Sequence, residues 1–439
     1  MSAVPSALDR AMLGELVRND RVHKRVYTDP EIFTLEMERV WGYAWVYVGH
    51  ESQVPEPGAF LTTTLGTQPV IMVRDRNDVI HVLHNRCAHK GAKVATAPCG
   101  KASVLRCPYH GWSYNLDGSL NTVPHKVGFE GTGFDPDNSA FHLQPVAGVA
   151  SYEGFIFAQL KNSGVSLEAF LGDTRATIDN VLDRSPSGKV SVAGRGLPYL
   201  HDCNWKMFVE NLNDAVHPMV AHASVGAACQ RYMNVHKPDA PPPEAEIIFP
   251  FASSYEFFDK MGVTALPHGH SYMGGKSSIH SSYSDIPGYY ESLVDRHGED
   301  KTKEVLTQNR HNTTVYPSFT IKDAIQAMRI VRPISVDQTL IETYHLQLDG
   351  APDALLHRTI TYSRLINSPA SMVGPDDWDC YTRIQEGLHS ESADWVYLGR
   401  YLDQERTEGE ATTALGTSDL SARNQFRAWL EYMVRDEAA

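Results

Sequence analysis

Two short stretches of this chain each place one cysteine close to one histidine. The stretch "NRCAHKGAKV" contains Cys87 and His89, and "LRCPYHGW" contains Cys107 and His110, with residues 90–106 between the two pairs. Two thiolates and two imidazoles form a complete ligand set for a metal centre, so the two stretches are expected to fold against each other.

The order of these ligands favours an iron–sulfur cluster over zinc. A structural zinc site usually takes two cysteines from one arm, whereas here each arm carries one sulfur and one nitrogen. In a Rieske [2Fe–2S] centre one iron takes both cysteines and the other iron takes both histidines, which fits this arrangement. Zinc and a chance cluster of buried cysteines with surface histidines are the two weaker alternatives.

Turn residues near both pairs predict β-hairpins. Alternating β-rich runs flank Asp75-Arg76-Asn77-Asp78, and a second set flanks Asp117-Gly118. Aspartate, asparagine and glycine are typical of the tight turns that join antiparallel strands. We therefore expect each metal-binding pair at or near the tip of a hairpin, so that two loops close over the cluster from opposite sides. Pro108, between Cys107 and His110, stiffens its loop.

Composition limits the class of protein. The 439 residues are 42% hydrophobic and 21% charged, which is typical of a globular protein with more than one domain. No run of about 18 apolar residues occurs, so no membrane span is expected. The remaining cysteines are scattered, and the N-terminus lacks a basic start with an apolar core, so we expect a cytoplasmic location. The net charge of −14 disfavours nucleic acid as a partner.

A second group of chemistry-bearing residues follows. The apolar positions of Trp205–His217 recur at helical intervals and predict a helix, which would place Glu210, Asp214 and His217 on one polar stripe. Such a stripe is usually a solvated face, which is the alternative interpretation. Pro218 favours a functional role, because it should end or kink the helix near His217.

A break at Pro218 would allow two histidines to share a metal. On an unbroken helix His217 and His222 would point in different directions, whereas a break lets His222 turn back towards His217. A histidine pair with one carboxylate suits Fe(II) and leaves open positions for dioxygen and substrate. Asp214 could then accept a ring N–H and fix the tautomer.

The carboxylate must come from another part of the chain. Asp376 and Asp377 stand just before a predicted helix in "SMVGPDDWDCYTRIQEGL". Aspartates at this place often cap a helix or favour its first turn, which is the alternative explanation for both. One of the pair could cap the helix while the other binds the metal.

These motifs together resemble the large (α) subunit of a Rieske-type non-haem iron aromatic ring-hydroxylating oxygenase. The likeness extends over most of the chain. It includes Gly111-Trp112 after the second metal-binding pair, the block Asn204–His222, and the segments "PDDWDCYTRIQ" (375–385) and "SDLSARNQFRAWLEYM". One departure is Lys90, where the family often has arginine after the first cluster histidine.

The resemblance implies a role for each matching residue. The cluster falls on Cys87, His89, Cys107 and His110. The mononuclear iron falls on His217, His222 and Asp377, with Asp376 as the fallback for the carboxylate. Asp214 corresponds to the aspartate that links a cluster histidine of one subunit to an iron-ligand histidine of its neighbour, which implies a ring-shaped homotrimer, with or without a small β subunit.

The resemblance also implies the reaction. Electrons from NAD(P)H would arrive through a separate reductase, a ferredoxin or both, since no dinucleotide-binding fingerprint is present here. Dioxygen would be activated at Fe(II) to hydroxylate an aromatic substrate, and the spacing around Asp377 favours a benzoate-, salicylate- or anthranilate-like acid. Monooxygenation of an aromatic without a carboxylate, by ring hydroxylation or dealkylation, is the alternative. A Rieske electron carrier or a zinc-stabilised binding protein would leave the second histidine pair unexplained.

The expected fold class is α+β. Residues 45–165 would form an antiparallel β Rieske domain, and residues 1–44 with 166–439 a catalytic domain whose antiparallel sheet is flanked by helices. Residues 225–375, rich in aromatics and histidine, would line the substrate pocket. Candidate partners for a substrate carboxylate are Lys322, Arg329 and Arg332.

Overall fold

A computed structural model describes residues 9–239, 242–276 and 286–435. The chain divides into two compact units, one spanning residues 41–167 and the other combining residues 1–40 with 168–439. Helices and antiparallel sheets together confirm the α+β class. Within the described ranges no helix has both the length and the apolar character needed to cross a bilayer. The stretch 277–285, part of the range 225–375 that is predicted to line the pocket, lies outside the described residues.

The elements follow one another in three segments. The first contains α1 (Arg10–Glu15), β1 (Val17–Arg18), β2 (Arg21–His23), α2 (Arg25–Thr28) and α3 (Pro30–Tyr43). The second contains β3 (Val46–His50), β4 (Ala59–Leu65), β5 (Gln68–Arg74), β6 (Ile80–His84), β7 (Cys99–Lys101), β8 (Leu105–Arg106), β9 (Ser113–Tyr114), β10 (Leu120–Thr122), β11 (Gly148–Tyr152) and β12 (Phe155–Gln159). The third contains α4 (Leu167–Leu171), α5 (Arg175–Asp183), β13 (Val190–His201), α6 (Trp205–Asn211), α7 (Pro218–Ala221), α8 (Ala223–His236), α9 (Pro243–Ile248), α10 (Tyr255–Met261), β14 (Val263–Ala265), β15 (Ser271–Gly275), α11 (Tyr289–His297), α12 (Glu299–Thr307), β16 (Asn309–Val315), β17 (Phe319–Lys322), β18 (Ala327–Ser335), β19 (Gln338–Leu348), α13 (Asp353–Ile366), α14 (Gly374–Leu388), β20 (Trp395–Tyr397), β21 (Arg406–Glu408), β22 (Ala411–Ala414) and α15 (Leu420–Met433).

The unit of residues 41–167 is built from small antiparallel sheets. Their strand orders are β6-β5-β4-β7, β10-β9-β8 and β11-β12-β3. The two predicted turns are confirmed. Asp75 Oδ1 accepts hydrogen bonds from the N–H groups of Asn77 and Val79 between β5 and β6, and Asp117 Oδ1 accepts one from Ser119 N–H between β9 and β10.

The metal-binding pairs do not both lie at hairpin tips. Cys107 and His110 lie between β8 and β9, which pair with each other, so the prediction is confirmed for this pair. Cys87 and His89 lie between β6 and β7, which are separated in the sheet by β5 and β4, so the prediction is wrong for this pair. The chain after β6 crosses to the far edge of the sheet, and the first pair lies in that crossing loop.

The second unit is organised by a large antiparallel sheet of order β13-β19-β18-β17-β16-β15-β14-β22-β21. Arg329 on β18 pairs with Thr343 on β19, and His201 on β13 pairs with Thr339, four positions earlier on β19. Lys322 on β17 pairs with Ala327, two positions before Arg329. Because paired residues share a face and side chains alternate along a strand, the side chains of Lys322, Arg329, Thr343 and His201 project from one face.

The helix predicted over Trp205–His217 ends early, so that prediction is wrong beyond Asn211. Helix α6 stops at Asn211, and Pro218 is the first residue of the next helix, α7. Proline suits a first helical position because its missing N–H would have no intrahelical partner there. Asp214 supports the intervening turn, since its Oδ1 accepts a hydrogen bond from Val216 N–H at 2.6 Å. Asp214 and His217 are therefore turn residues, and Glu210 alone remains on α6.

Candidate metal centres

The two cysteine- and histidine-bearing loops have the same backbone geometry. Gly91 N–H donates to the carbonyl of Cys87, and Gly111 N–H donates in the same way to the carbonyl of Cys107, at 2.9 and 3.1 Å. The next residue after each glycine accepts a hydrogen bond from the N–H of the same cysteine. Both glycines have positive φ, 75° and 73°, which side chains rarely adopt. The loops are therefore two copies of one tight turn.

The four side chains of these loops converge. Cys87 and Cys107 are buried, and the rings of His89 and His110 lie 4.6 Å apart. The ring of His89 stacks on Trp112 with an interplanar angle of 4°, which fixes its orientation. Nδ1 of His89 is buried without a hydrogen-bond partner among the described residues. A buried ring nitrogen is normally satisfied, so this atom is available as a ligand.

The hydroxyl of Tyr114 contacts two residues of the first loop, Cys87 and Ala88. Its hydroxyl lies 3.1 Å from Cys87 Sγ and accepts a hydrogen bond from Ala88 N–H at 3.1 Å. Because that N–H already donates to the phenol oxygen, the O–H proton is free to point at the sulfur. Burial, and then the neighbouring Cys87, raise the pKa of Tyr114, so the phenol remains protonated and remains a donor. Two buried thiols facing two imidazoles fit a cluster with two sulfur and two nitrogen ligands.

A second convergence lies in the larger unit. His217, His222 and Asp377, here called the His–Asp triad, each offer one ligand atom within 4.8 Å of the others. Nε2 of His217 and Nε2 of His222 lie 3.5 and 3.3 Å from Asp377 Oδ1. Nε2 of His222 is buried and has no hydrogen-bond partner in the described chain. Two imidazoles and a carboxylate converging on one point suit Fe(II), so the residues fit this ion.

The short helix α7 and the first turn of α14 position the triad. His217 immediately precedes α7 and His222 immediately follows it, so one turn of helix brings both rings together, with centroids 5.3 Å apart. Asp377 lies in the first turn of α14, inside the helix and not before it as predicted. The residue at the helix boundary is Val373, and no side chain caps it. The carboxylates of Asp376 and Asp377 are thus not used as caps.

The neighbours of the triad orient its rings. Asp376 Oδ2 lies 3.3 Å from Nδ1 of His222, on the opposite side of the ring from Asp377. Asp214 Oδ1 approaches Nδ1 of His217 to 3.7 Å, which is within ion-pair range but longer than a hydrogen bond. A carboxylate on Nδ1 favours the tautomer whose Nε2 is free to bind a metal. Asn211 Nδ2 lies 3.3 Å from both His217 Nε2 and Asp377 Oδ1.

Charge at the triad favours a cation. Burial lowers the pKa of His217, but the carboxylates of Asp214 and Asp377 outweigh this effect and raise the pKa above its ordinary value. Carboxylates that stabilise a proton on the ring also stabilise a metal ion placed between the same groups.

A cavity opens from the triad onto the polar face of the large sheet. Lys322 and Arg329, here called the cation pair, line it together with His201 and Thr343. Lys322 Nζ donates to the hydroxyl of Tyr362 at 2.8 Å, and Arg329 Nη2 donates to Asn312 Oδ1 at 2.9 Å. Neither cation forms an ion pair with any described carboxylate. Burial lowers the pKa of Lys322 well below its ordinary value, with Arg329 acting in the same direction.

The cavity tests the earlier pocket predictions. Arg332 does not line it, because its Nε pairs with Glu342 Oε2 at 3.2 Å. Residues 225–375 do supply much of the wall, including Phe251 and Phe258. Strand β13 and helix α6, which precede that range, supply Tyr199, His201 and Phe208.

Three residues of these sites, His201, Tyr199 and Tyr114, were not predicted from the sequence. His201 and Tyr199 alternate along "LPYLH" immediately before α6, a pattern that predicts a shared face on a strand. Tyr114 carried no signal beyond its place after the second metal-binding pair. Its contact with Cys87 depends on how the two loops meet.

The two sites together, a sulfur- and nitrogen-lined pocket and a separate histidine–carboxylate triad, are typical of Rieske non-haem iron oxygenases. Comparison with known proteins agrees. Residues 44–147 match the Rieske [2Fe-2S] domain, and residues 189–413 match the family described as ring hydroxylating alpha subunit (catalytic domain). The chain belongs to this family of ring-hydroxylating oxygenase α subunits. It is an oxidoreductase whose family uses a [2Fe–2S] cluster, mononuclear iron and electrons supplied through a reductase.

Individual relatives cover most of the chain. It is 32% identical over 371 residues to toluate 1,2-dioxygenase subunit alpha of Pseudomonas putida, covering 84% of this chain and 79% of that one. It is 29% identical over 411 residues to the 2-halobenzoate 1,2-dioxygenase large subunit of Burkholderia cepacia, covering 90% and 84%. The crystal structure of naphthalene 1,2-dioxygenase from Rhodococcus sp. bound to indole superposes with a TM-score of 0.78 at 25% identity and 98% coverage of both chains.

Proposed function

We propose that this chain is the terminal oxygenase component that hydroxylates a substituted aromatic acid of the benzoate or salicylate type. The observation that carries this proposal is the cation pair, because the buried Lys322 and the partly buried Arg329 face the cavity that opens from the His–Asp triad, and neither has a carboxylate partner among the described residues. Buried charges are normally paired, so an anionic ligand is the partner that would complete this site. The relatives named for toluate and 2-halobenzoate act on aromatic acids, which supports the same class.

Different residues of the chain would bind the cluster, the mononuclear iron and the substrate. Cys87, His89, Cys107 and His110 would hold the cluster, and the His–Asp triad would hold Fe(II). When bound, these groups supply electron storage and dioxygen activation. The cation pair would bind the substrate carboxylate, and the aromatic wall would hold the ring in a dry pocket beside the triad. Asp376 would orient His222.

Asp214 would link His217 to a cluster histidine of a neighbouring subunit and so carry electrons from the cluster to the mononuclear iron. Its side chain is 46% exposed while its Oδ1 faces Nδ1 of His217, so the carboxylate can bind His217 and a neighbouring chain at once. A link of this kind requires a second copy of the chain, which supports a homotrimer. The electrons would come from NAD(P)H through a separate reductase, a ferredoxin or both.

The unit boundaries support a division of function. We propose residues 45–165 as the cluster-carrying domain, and residues 1–44 with 166–439 as the catalytic domain. The scattered free cysteines support a cytoplasmic location, since such thiols persist in a reducing compartment.

Purified enzyme with its reductase, supplied with a panel of aromatic acids and matched neutral aromatics, tests the function. We expect about three irons per chain, from a two-iron cluster plus one mononuclear site. Mass spectrometry should find one or two added oxygen atoms in products of the acids, and size determination should give a multiple of three chains. Turnover of neutral aromatics in preference to every acid would contradict the assigned substrate class.

A further inference from the structure

His201 is a buried histidine of the substrate cavity that belongs neither to the His–Asp triad nor to the cation pair. It ends strand β13 and projects from the same sheet face as the cation pair. Only 4% of its surface is exposed, yet it is one of the residues that line the cavity together with the triad and the cation pair. It is therefore placed to meet whatever the cavity binds.

Aromatic neighbours hold the His201 ring in place. Trp378 meets it edge-on with centroids 5.2 Å apart at 90°, and Tyr381 and Phe208 lie at 5.8 and 6.0 Å. These contacts leave the ring little freedom to rotate towards another partner. A fixed ring is suited to recognising a group at a defined position.

One of the two ring nitrogens of His201 has no hydrogen-bond partner among the described residues. That nitrogen is the buried Nδ1. Burial, followed by the charge of Arg329, lowers the pKa of His201 to about 4, so the imidazole is neutral near pH 7. A neutral imidazole carries one donor and one acceptor. Leaving such a group unpaired in a buried site is costly, which calls for an explanation.

We propose that His201 hydrogen-bonds a second, uncharged polar group on the ring of the substrate, a hydroxyl or an amino group. The cation pair takes the negative charge, while the neutral imidazole suits a group that itself both donates and accepts. The inference rests on the proposed function, since it assumes that an aromatic acid enters this cavity. Within the proposed benzoate- or salicylate-type acids, it favours those that carry a ring hydroxyl or amino group over those that carry only apolar substituents.

Equilibrium binding to the iron-replete enzyme, measured by calorimetry without reductant or dioxygen, tests this assignment. The ligands are benzoate and the 2-, 3- and 4-isomers of hydroxybenzoate, aminobenzoate and methylbenzoate. At one ring position at least, we expect the hydroxyl or amino compound to bind about tenfold more tightly than the methyl compound of similar size. Equal binding at all three positions would overturn the proposal without any variant.

Variants then assign the preference to His201. In His201→Phe, which keeps a ring but removes both nitrogens, we expect the tenfold preference to fall to parity and methylbenzoate to bind as well as before. His201→Leu serves as a second apolar replacement should the phenylalanine variant fail to fold. Retention of the preference in either variant would exclude His201 as its source.

His345 provides the matched control. It is also a buried histidine on the same sheet, with Nε2 unpartnered among the described residues, but it does not line the cavity. His345→Phe should keep the preference. Binding of benzoate tests the proposed function without testing His201, because benzoate has a carboxylate but no second polar group. If benzoate binds and the substituents make no difference, only the role of His201 is wrong; if no aromatic acid binds, the proposed function fails as well.

Discussion

Nε2 of His222 lies 3.3 Å from Oδ1 of Asp377, and this contact joins the end of α7 to the first turn of α14. The adjacent Asp376 reaches the other nitrogen of the same ring. The two aspartates therefore approach opposite edges of one imidazole, and only Asp377 also faces His217. This geometry favours Asp377 over Asp376 as the carboxylate ligand of the iron, a choice that the sequence left open.

Asp377→Ala should remove the mononuclear iron selectively. The variant loses the one carboxylate that faces both histidines, and two imidazoles alone hold Fe(II) weakly. We expect about two irons per chain, with the visible absorption of the cluster unchanged. Iron analysis and electron paramagnetic resonance of the same sample check this outcome. Full retention of the third iron would mean that another residue supplies the carboxylate.

Asp376→Ala is the matched control for that experiment. It removes a neighbouring carboxylate of the same helix turn, but one that contacts Nδ1 of His222 only. Loss of such an orienting group typically weakens metal binding by about 10- to 100-fold. Metal titration should therefore show retained but weaker binding. Complete loss of iron here, with retention in Asp377→Ala, would reverse the two roles.

Asp214→Ala should separate metal content from turnover. Asp214 lies 3.7 Å from Nδ1 of His217, the ring nitrogen that does not face Asp377. Both metal centres should therefore persist, whereas product formation should fall by about 100-fold as the relay and the ring orientation are lost. The measurement pairs iron analysis with product yield. Asp295→Ala, at an exposed aspartate of α11, is the control and should behave as the parent.

Tyr114→Phe should lower the reduction potential of the cluster. The phenol donates towards Cys87 Sγ, and a donor to a ligand sulfur stabilises the reduced, more negative state. Its removal should shift the potential down by tens of millivolts, given that about 59 mV corresponds to a tenfold change for one electron. Voltammetry measures the shift. Tyr109→Phe, at an exposed tyrosine of the second loop, should leave the potential nearly unchanged.

Local spacing made the metal ligands visible in the sequence. Each cysteine–histidine pair lies within one tight turn, and His217 and His222 flank a single turn of helix, so residue type and separation carry most of the information. The helix itself was predicted too long, because the apolar pattern continues through Leu212 and Ala215 after the helical hydrogen bonds stop. Both residues remain buried in the turn. Burial alone therefore preserves a helical pattern where no helix exists.

Features that depend on distant pairing were less visible. Lys322, Arg329 and Arg332 looked equivalent along the chain, and only the partner strand distinguishes them, since β19 supplies Glu342 to Arg332 alone. The crossing loop of Cys87 likewise depends on β7 joining the far edge of its sheet. Such relationships are set by strand order, which a single sequence does not encode locally.

Arg329→Met should weaken binding of aromatic acids. Arg329 donates to a neutral amide and has no carboxylate partner among the described residues, so its charge is available to a ligand. A hydrogen bond to a charged group is worth about 1.5–3 kcal/mol, so the dissociation constant should rise by about 10- to 100-fold. Calorimetry with benzoate and with benzamide, its neutral analogue, makes the comparison. An equal loss for both ligands would indicate damage to the cavity and not loss of charge recognition.

Glu36→Leu should strongly lower the free energy of unfolding of the unit that combines residues 1–40 with 168–439. Glu36 Oε1 accepts from Lys206 Nζ at 2.5 Å and from Trp429 Nε1 at 2.6 Å, while Oε2 accepts from Trp205 Nε1 at 2.9 Å. Helices α3, α6 and α15 thus meet at one fully buried carboxylate. Removing it leaves the ammonium of Lys206 buried without its counter-charge, which costs about 3–5 kcal/mol of unfolding free energy.

Denaturant unfolding followed by tryptophan fluorescence measures this loss. Glu299→Leu, which breaks the exposed Lys303–Glu299 pair at 2.6 Å, is the control and should leave stability unchanged, since solvent screens that pair. The double variant Glu36→Leu/Lys206→Met should recover part of the lost stability, because it removes the stranded charge as well. If the double variant is less stable than Glu36→Leu, the destabilisation comes from the two tryptophan hydrogen bonds and not from the uncompensated lysine.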